Sequence, residues 1–247
     1  MISDRHQCIF IHIPKNGGAS IERLIWRDEE FTEENLWLGF KSGDRNAYQT
    51  GGLQHLFAQN VKKAVGAEKY ERYFKFSMVR NPWDKAISQY LYLQKRGDLR
   101  RFLGLPRHAS FKKYLSTIPK KPHVHWLPQV EFILDKNGDL MVDLITRFES
   151  YSLAVDSILN EVKTRTSHPL PQLDDVPHLN KSKRQSYLHY YDEESIGMVE
   201  ELYQKDISYF DYTFDWDAYR NREIQLPFPV PQNWISGKWK DLQQRWK

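Results

Sequence analysis

Cysteine is nearly missing from this chain of 247 residues: the single copy, Cys8, lies inside an apolar run. A lone cysteine excludes an intrachain disulfide and gives no reason for an oxidising compartment. Long hydrophobic runs are missing too. No stretch approaches the roughly 18 apolar residues of a membrane-spanning helix. The first residues, MISDRHQ, lack the charged-then-apolar layout of a secretory leader. A cytoplasmic protein without a transmembrane segment is therefore expected. Charge of one sign is also scarce. Lys and Arg number 36 against 32 Asp and Glu, a net +4. That balance suits an anionic ligand but lacks the dense basic blocks of a nucleic-acid binder. No internal repeat or low-complexity tract is present. With 40% hydrophobic and 28% charged residues, the chain has the composition of a globular protein. Its length suits one large α/β domain.

Short apolar runs alternate with helical patterns. CIFIHI, at 8–13, reads as a buried strand, and 20–26 as a helix. In 73-YFKFSMVRNPWDKAISQYLYL-93 a strand over 74–79 precedes a helix. Asn81 is its cap, Pro82 suits its first turn, and Ile87, Tyr90 and Leu91 share one face. A third strand is expected in 140–148, after the turn Asp135–Asp139, and a helix in 152–162 carrying Leu153, Ile158, Leu159 and Val162. Residues 164–186 read as loop. A helix over about 192–209 is expected, with Asp192 as cap and Ile196, Val199, Leu202 and Tyr203 as its stripe. The chain divides into a domain over 1–219 and a Pro/Trp-rich basic extension over 220–247 packed on it. The alternation implies an α/β fold, a parallel sheet flanked by helices, with ligand beyond the carboxyl ends of the strands.

Two motifs fall at that edge. The first is PKNGGAS, 14–20. Glycines let backbone N–H groups approach an oxyanion, a helix N-terminus adds partial positive charge, Lys15 a full charge and Ser20 a hydroxyl. It is not a Walker A loop, in which the lysine follows the second glycine. The bland alternative is a tight strand-to-helix turn with an exposed lysine. The second motif is VRNPWDKAISQY, 79–90. Ser88 lies seven residues after Asn81, two helical turns on, so Arg80 and Ser88 can converge on one anion. An arginine that merely caps a sheet edge is the alternative here. Together the motifs give one sheet edge two anion sites, which suits a nucleotide with phosphate at two positions.

The pattern resembles the sulfotransferases that use 3′-phosphoadenosine 5′-phosphosulfate (PAPS), particularly the carbohydrate group that includes heparan-sulfate 2-O-sulfotransferase and its bacterial relatives. PKNGGAS is similar to that family's 5′-phosphosulfate loop, although Asn16 and Ala19 stand where threonine is commoner. FSMVRNPWDKAISQY is similar to its 3′-phosphate motif, with Arg80 and Ser88 as the pair. LITRFES, HLNKSKR and LYQKDISYFDYTF give softer matches, and the resemblance covers about 8–215. It implies a P-loop NTPase-like parallel sheet flanked by helices (the sulfotransferase fold). It also implies in-line transfer of a sulfuryl group from PAPS to a hydroxyl of a carbohydrate or glycolipid, with the nucleotide PAP as product and no metal.

The resemblance also implies roles. Lys15 would stabilise the moving group and the leaving phosphate. The amides of Gly17, Gly18 and Ala19, with Ser20, would hold the 5′-phosphate, and Arg80 and Ser88 the 3′-phosphate. His55, 25 residues before Arg80, would be the base. Ser182 and Lys183, in the basic loop 181–184, would close over the cofactor, unless that loop is simply solvated. His125 and Gln129 would line the acceptor pocket, or belong to a loop packed by Trp126. His12 is expected to be structural. His123 and His125 have the spacing of a metal pair but no evident third ligand, so no metal is expected. Two other function classes remain open: a non-catalytic PAP-sensing regulator and a P-loop-like kinase. The sequence leaves the oligomeric state open.

Overall fold

In a computed structural model, the structure describes residues 1–37, 39, 52–170 and 186–221. The basic loop with Ser182 and Lys183, and the extension from 222 onward, lie outside the described residues.

Four strands form one sheet in the order β1 (Ile2–Ser3), β2 (Cys8–Ile11), β3 (Phe74–Val79) and β4 (Leu144–Arg147). β2, β3 and β4 are parallel neighbours, Phe10 facing Phe76 and Phe76 facing Leu144. β1 adds two residues antiparallel to β2. Every residue of β2 and β3 is buried, because helices cover both sheet faces. Strand alternation sorts the core into two layers. Cys8, Phe10, Phe74, Phe76 and Met78 pack with α1 (Gly18–Ile25) and α8 (Tyr151–Lys163). Ile9, Ile11 and Val79 face the larger layer. That layer includes α2 (Ala58–Val65), α3 (Ala67–Arg72), α4 (Pro82–Lys95), α5 (Gly97–Leu103), α6 (Phe111–Thr117), α7 (Val130–Ile133) and α9 (Glu193–Leu202).

Local chemistry sets the boundaries. Asn81 accepts from the amides of Trp83 and Asp84, and Pro82 opens α4. Asp192 and Ser195 close a capping box on α9.

Three expected elements differ in detail. The third strand is shorter, because Leu140 instead makes an isolated antiparallel bridge with Leu134 around the Asp135–Asp139 turn. Leu153 is 69% exposed, and Ala154 and Val155 take the buried places on α8. The helix expected over 192–209 breaks at Tyr203 (φ −120°, ψ 23°) into α9 and α10 (Gln204–Phe210). The buried Tyr203 hydroxyl donates to Trp126 O, and the break turns Asp206 inward. A last short helix, α11, spans Trp216–Arg220. No helix among the described residues is long and apolar enough to cross a membrane.

Candidate active site

The loops leaving β2, β3 and β4 meet at one edge of the sheet. After β2 the chain runs through Lys15, held at φ 72°, and Gly17 at φ 82°. The left-handed region suits glycine and strains lysine. Gly17 is the N-cap of α1, and no side chain caps that helix. Its first-turn amides therefore point outward without a side-chain acceptor. The two glycines have different reasons. Gly17 needs its positive φ, and a Cβ there would lie 2.9 Å from the Phe148 ring. At Gly18 a Cβ would lie 2.2 Å from His12 Nε2, so the imidazole occupies the missing side chain's place. Ala19 is exposed on the first turn of α1. The Ser20 side chain turns inward beside Tyr151, whose phenol is pushed up by burial and drawn back by the Ser20 hydroxyl.

Arg80 follows β3. Its Nε donates to Asp84 Oδ2 at 2.7 Å and its Nη2 lies 2.6 Å from the same oxygen. Nη1 donates to the carbonyl of Lys15 at 2.8 Å. The guanidinium stacks 4.0 Å from the Phe148 ring centroid. Phe148, just past β4, thus touches both loops. Its neighbour Glu149 accepts from the Asn81 amide at 2.6 Å. Ser88 is half-buried on α4, one turn beyond Asp84.

A row of aromatic and imidazole rings leads away from Lys15. Its Nζ sits 4.1 Å from the Tyr92 ring centroid. Tyr92 stacks on His125 (5.5 Å, 5°), His125 meets His55 edge-on at 5.4 Å, and His55 meets His12 at 4.7 Å. His55 Nδ1 lies 3.2 Å from the carbonyl of His12, which can only accept. That bond puts the proton on Nδ1 and leaves Nε2 as the basic nitrogen. Burial, then the neighbouring His12, drives the His55 pKa well below 6.5, so the ring is neutral at pH 7. His125 Nδ1 faces Gln89 Oε1 at 3.2 Å, and its pKa also falls well below 6.5, first by burial and then by His55, His123 and Lys15. His12 Nδ1 is 2.6 Å from Glu22 Oε1, beneath the Lys15 loop. Among the described residues no three His, Cys, Asp or Glu side chains are grouped to hold a metal.

Gln129 is placed otherwise than expected. It does not line an open pocket: it is 0% exposed. Its carboxamide oxygen accepts from Asn16 Nδ2 and the Arg80 amide, and its nitrogen donates to the Arg80 carbonyl. Burial and these partners occupy it within the protein.

A family model described as "Sulfotransferase family" matches residues 1–213. The chain belongs to the sulfotransferase family. No curated protein and no solved structure matches it. The mixed α/β architecture, with its mostly parallel sheet flanked by helices, is consistent with the sulfotransferase fold. Membership assigns this sulfotransferase sulfuryl transfer in general, between a small-molecule donor and an acceptor.

Lys15, His55 and His125 thus lie along one row of rings, and Arg80 is bonded to the backbone of that row's first member. Several participants gave no local signal. Tyr92 and Gln89 carry no mark of a site in the sequence, and Phe148 only its place in LITRFES. Asp84 had one usable mark, its i,i+4 spacing from Arg80 at a helix start.

Proposed function

We propose that this sulfotransferase uses PAPS and sulfates a hydroxyl of a carbohydrate or glycolipid. The observation that carries the reading is the joining of the Lys15 loop to Arg80 at one sheet edge, where the Arg80 guanidinium donates to the Lys15 backbone carbonyl at 2.8 Å. The residues present fit the donor. An uncapped helix start behind Gly17 offers its first-turn amides, and the loop before it carries Lys15 and is bonded to Arg80. The Lys15 loop, with the amides of Gly17, Gly18 and Ala19 and the Ser20 hydroxyl, would hold the 5′-phosphosulfate. Arg80 and Ser88 would hold the 3′-phosphate. When bound, the donor supplies the activated sulfuryl group for in-line displacement.

The chain's own residues do the rest. His55 takes the acceptor's hydroxyl proton at Nε2, and the carbonyl of His12 stabilises the resulting imidazolium through Nδ1–H. Lys15 Nζ leaves the Tyr92 ring to hold negative charge at the reacting centre. His125, stacked on Tyr92, contacts the acceptor.

The test is incubation with PAPS and a panel of carbohydrate acceptors, following PAP and sulfated product together. Equal amounts of both, with the rate lowered in His55→Ala, are expected. PAP binding without transfer, indifferent to His55→Ala, would instead make the chain a nucleotide-sensing regulator. Phosphorylation from ATP and magnesium would make it a kinase.

A further inference from the structure

We infer that Gln129 is a positioning residue that fixes the Lys15 loop and the Arg80 turn relative to each other, and that Asp206 holds Gln129 in the orientation this requires. The inference rests on the donor reading above.

Gln129 leads into α7 and its side chain is sealed from solvent. Oε1 accepts from Asn16 Nδ2 at 2.7 Å and from the Arg80 amide at 2.9 Å. Nε2 donates to the Arg80 carbonyl at 2.8 Å. The carboxamide therefore pairs with the Arg80 backbone in both directions, as a neighbouring strand would. Asn16, 1% exposed, gives its second Nδ2–H to Met78 O at 2.8 Å. One amide head joins segments 113 and 49 residues away in sequence. A carboxylate could accept but not donate, and an apolar side chain could do neither.

The orientation is itself held. The backbone N–H of Gln129 donates to Asp206 Oδ2 at 2.8 Å and that of Val130 to Oδ1 at 3.0 Å. Asp206 is 0% exposed, and burial raises its pKa against the pull of those N–H groups and of Lys85. Lys85, 1% exposed on α4, donates to Leu127 O at 3.3 Å, and burial pulls its pKa down to about 8. Apolar residues of similar volume would serve packing as well or better. A fully partnered polar network instead holds one arrangement of the groups it joins. What it joins here is the two loops that bear the cations, so ligand at one should preorganise the other.

Calorimetric titration with PAP and with 5′-AMP, which lacks the 3′-phosphate, tests this on the full chain. Wild type, Gln129→Met and Asp206→Asn are compared, each with its thermal midpoint. In wild type PAP should bind more tightly than 5′-AMP. In Gln129→Met that preference should shrink by about 5- to 150-fold, the usual range of coupling between sites. Asp206→Asn should shrink it less, in the same direction. A lower thermal midpoint with the preference unchanged would overturn the positioning role. If Gln129→Met does not fold, Asp206→Asn and amide exchange in wild type decide. 5′-AMP alone should slow exchange at the Arg80 amide, whereas slowing confined to 14–20 would contradict the inference. A wild type that binds PAP no more tightly than 5′-AMP would instead sink the donor reading, and the positioning role with it.

Discussion

Arg80 Nη1 donates to the carbonyl oxygen of Lys15, 65 residues earlier, at 2.8 Å. Lys15 holds a left-handed φ of 72°, and the bond fixes the carbonyl of that strained residue. The same guanidinium is paired with Asp84 and stacked on Phe148. The geometry of the first anion loop thus depends on the residue that marks the second.

Arg80→Lys keeps the charge but not the flat fork, so it cannot serve Asp84 and Lys15 O together. It should weaken PAP binding by about tenfold or more and lower stability. Arg80→Ala should do worse, removing the guanidinium that pairs with the mostly buried Asp84 carboxylate, at about 3–5 kcal/mol. Urea unfolding and PAP titration of the two variants check both effects. Unchanged stability in Arg80→Ala would show that the Asp84 pair contributes little.

The two glycines should fail for different reasons. Gly17→Ala imposes a left-handed φ on alanine and a 2.9 Å approach to Phe148. Gly18→Ala drives a methyl into the His12 ring, at about 1–3 kcal/mol or more. His12→Ala opens that space. The double variant Gly18→Ala/His12→Ala should therefore be more stable than the sum of the single changes predicts. Additive losses in thermal unfolding would contradict the contact.

Buried histidines set an acid limit. Burial lowers the pKa of His6 and of His123 to about 4, and those of His55 and His125 fall as well. Each ring binds its proton more readily unfolded, near 6.5. The contribution is complete above about pH 6.5 and, for His6 and His123, is lost as pH falls through their folded values near 4. Chemical denaturation between pH 8 and 4 should show that slope, with proton uptake on unfolding. His6→Phe should flatten it without lowering stability at pH 8, since His6 Nδ1 is buried with no hydrogen-bond partner among the described residues. A pH-independent stability would show that these rings are not held neutral.

Much of this was legible in the sequence. Strand 74–79 matches residue for residue, because its apolar run ends at an Asn-Pro helix start that punctuates it sharply. The place of Lys15 and Arg80 followed from strand–helix alternation. The break at Tyr203 was not legible, since its causes, the Trp126 carbonyl and the amides of Gln129 and Val130, are some 75 residues away. Gln129 read equally as a pocket residue or as part of a loop packed by Trp126, because a glutamine beside a His-Trp loop gives no local sign of burial. Its partners Asn16 and Arg80 lie in other segments that only the fold brings near.

The two candidate histidines should separate kinetically. His55→Ala should lower kcat by about 10²–10⁴-fold with PAP binding unchanged. His125→Ala should mainly raise the acceptor KM. Because His55 is neutral, the acid limb of kcat/KM should lie below pH 6.5. A pair of variants with equal losses in kcat would mean that the base is not assigned correctly.

The most direct measurement is thermal unfolding with PAP, 5′-AMP, or ATP plus magnesium, on wild type and Arg80→Ala. A ligand at about 100 times its dissociation constant adds roughly 2.7 kcal/mol, or about 5–10 °C for a chain of this size. The account predicts that shift with PAP, a smaller one with 5′-AMP, and its loss in Arg80→Ala. No shift with PAP, or a larger one with ATP and magnesium, would contradict it.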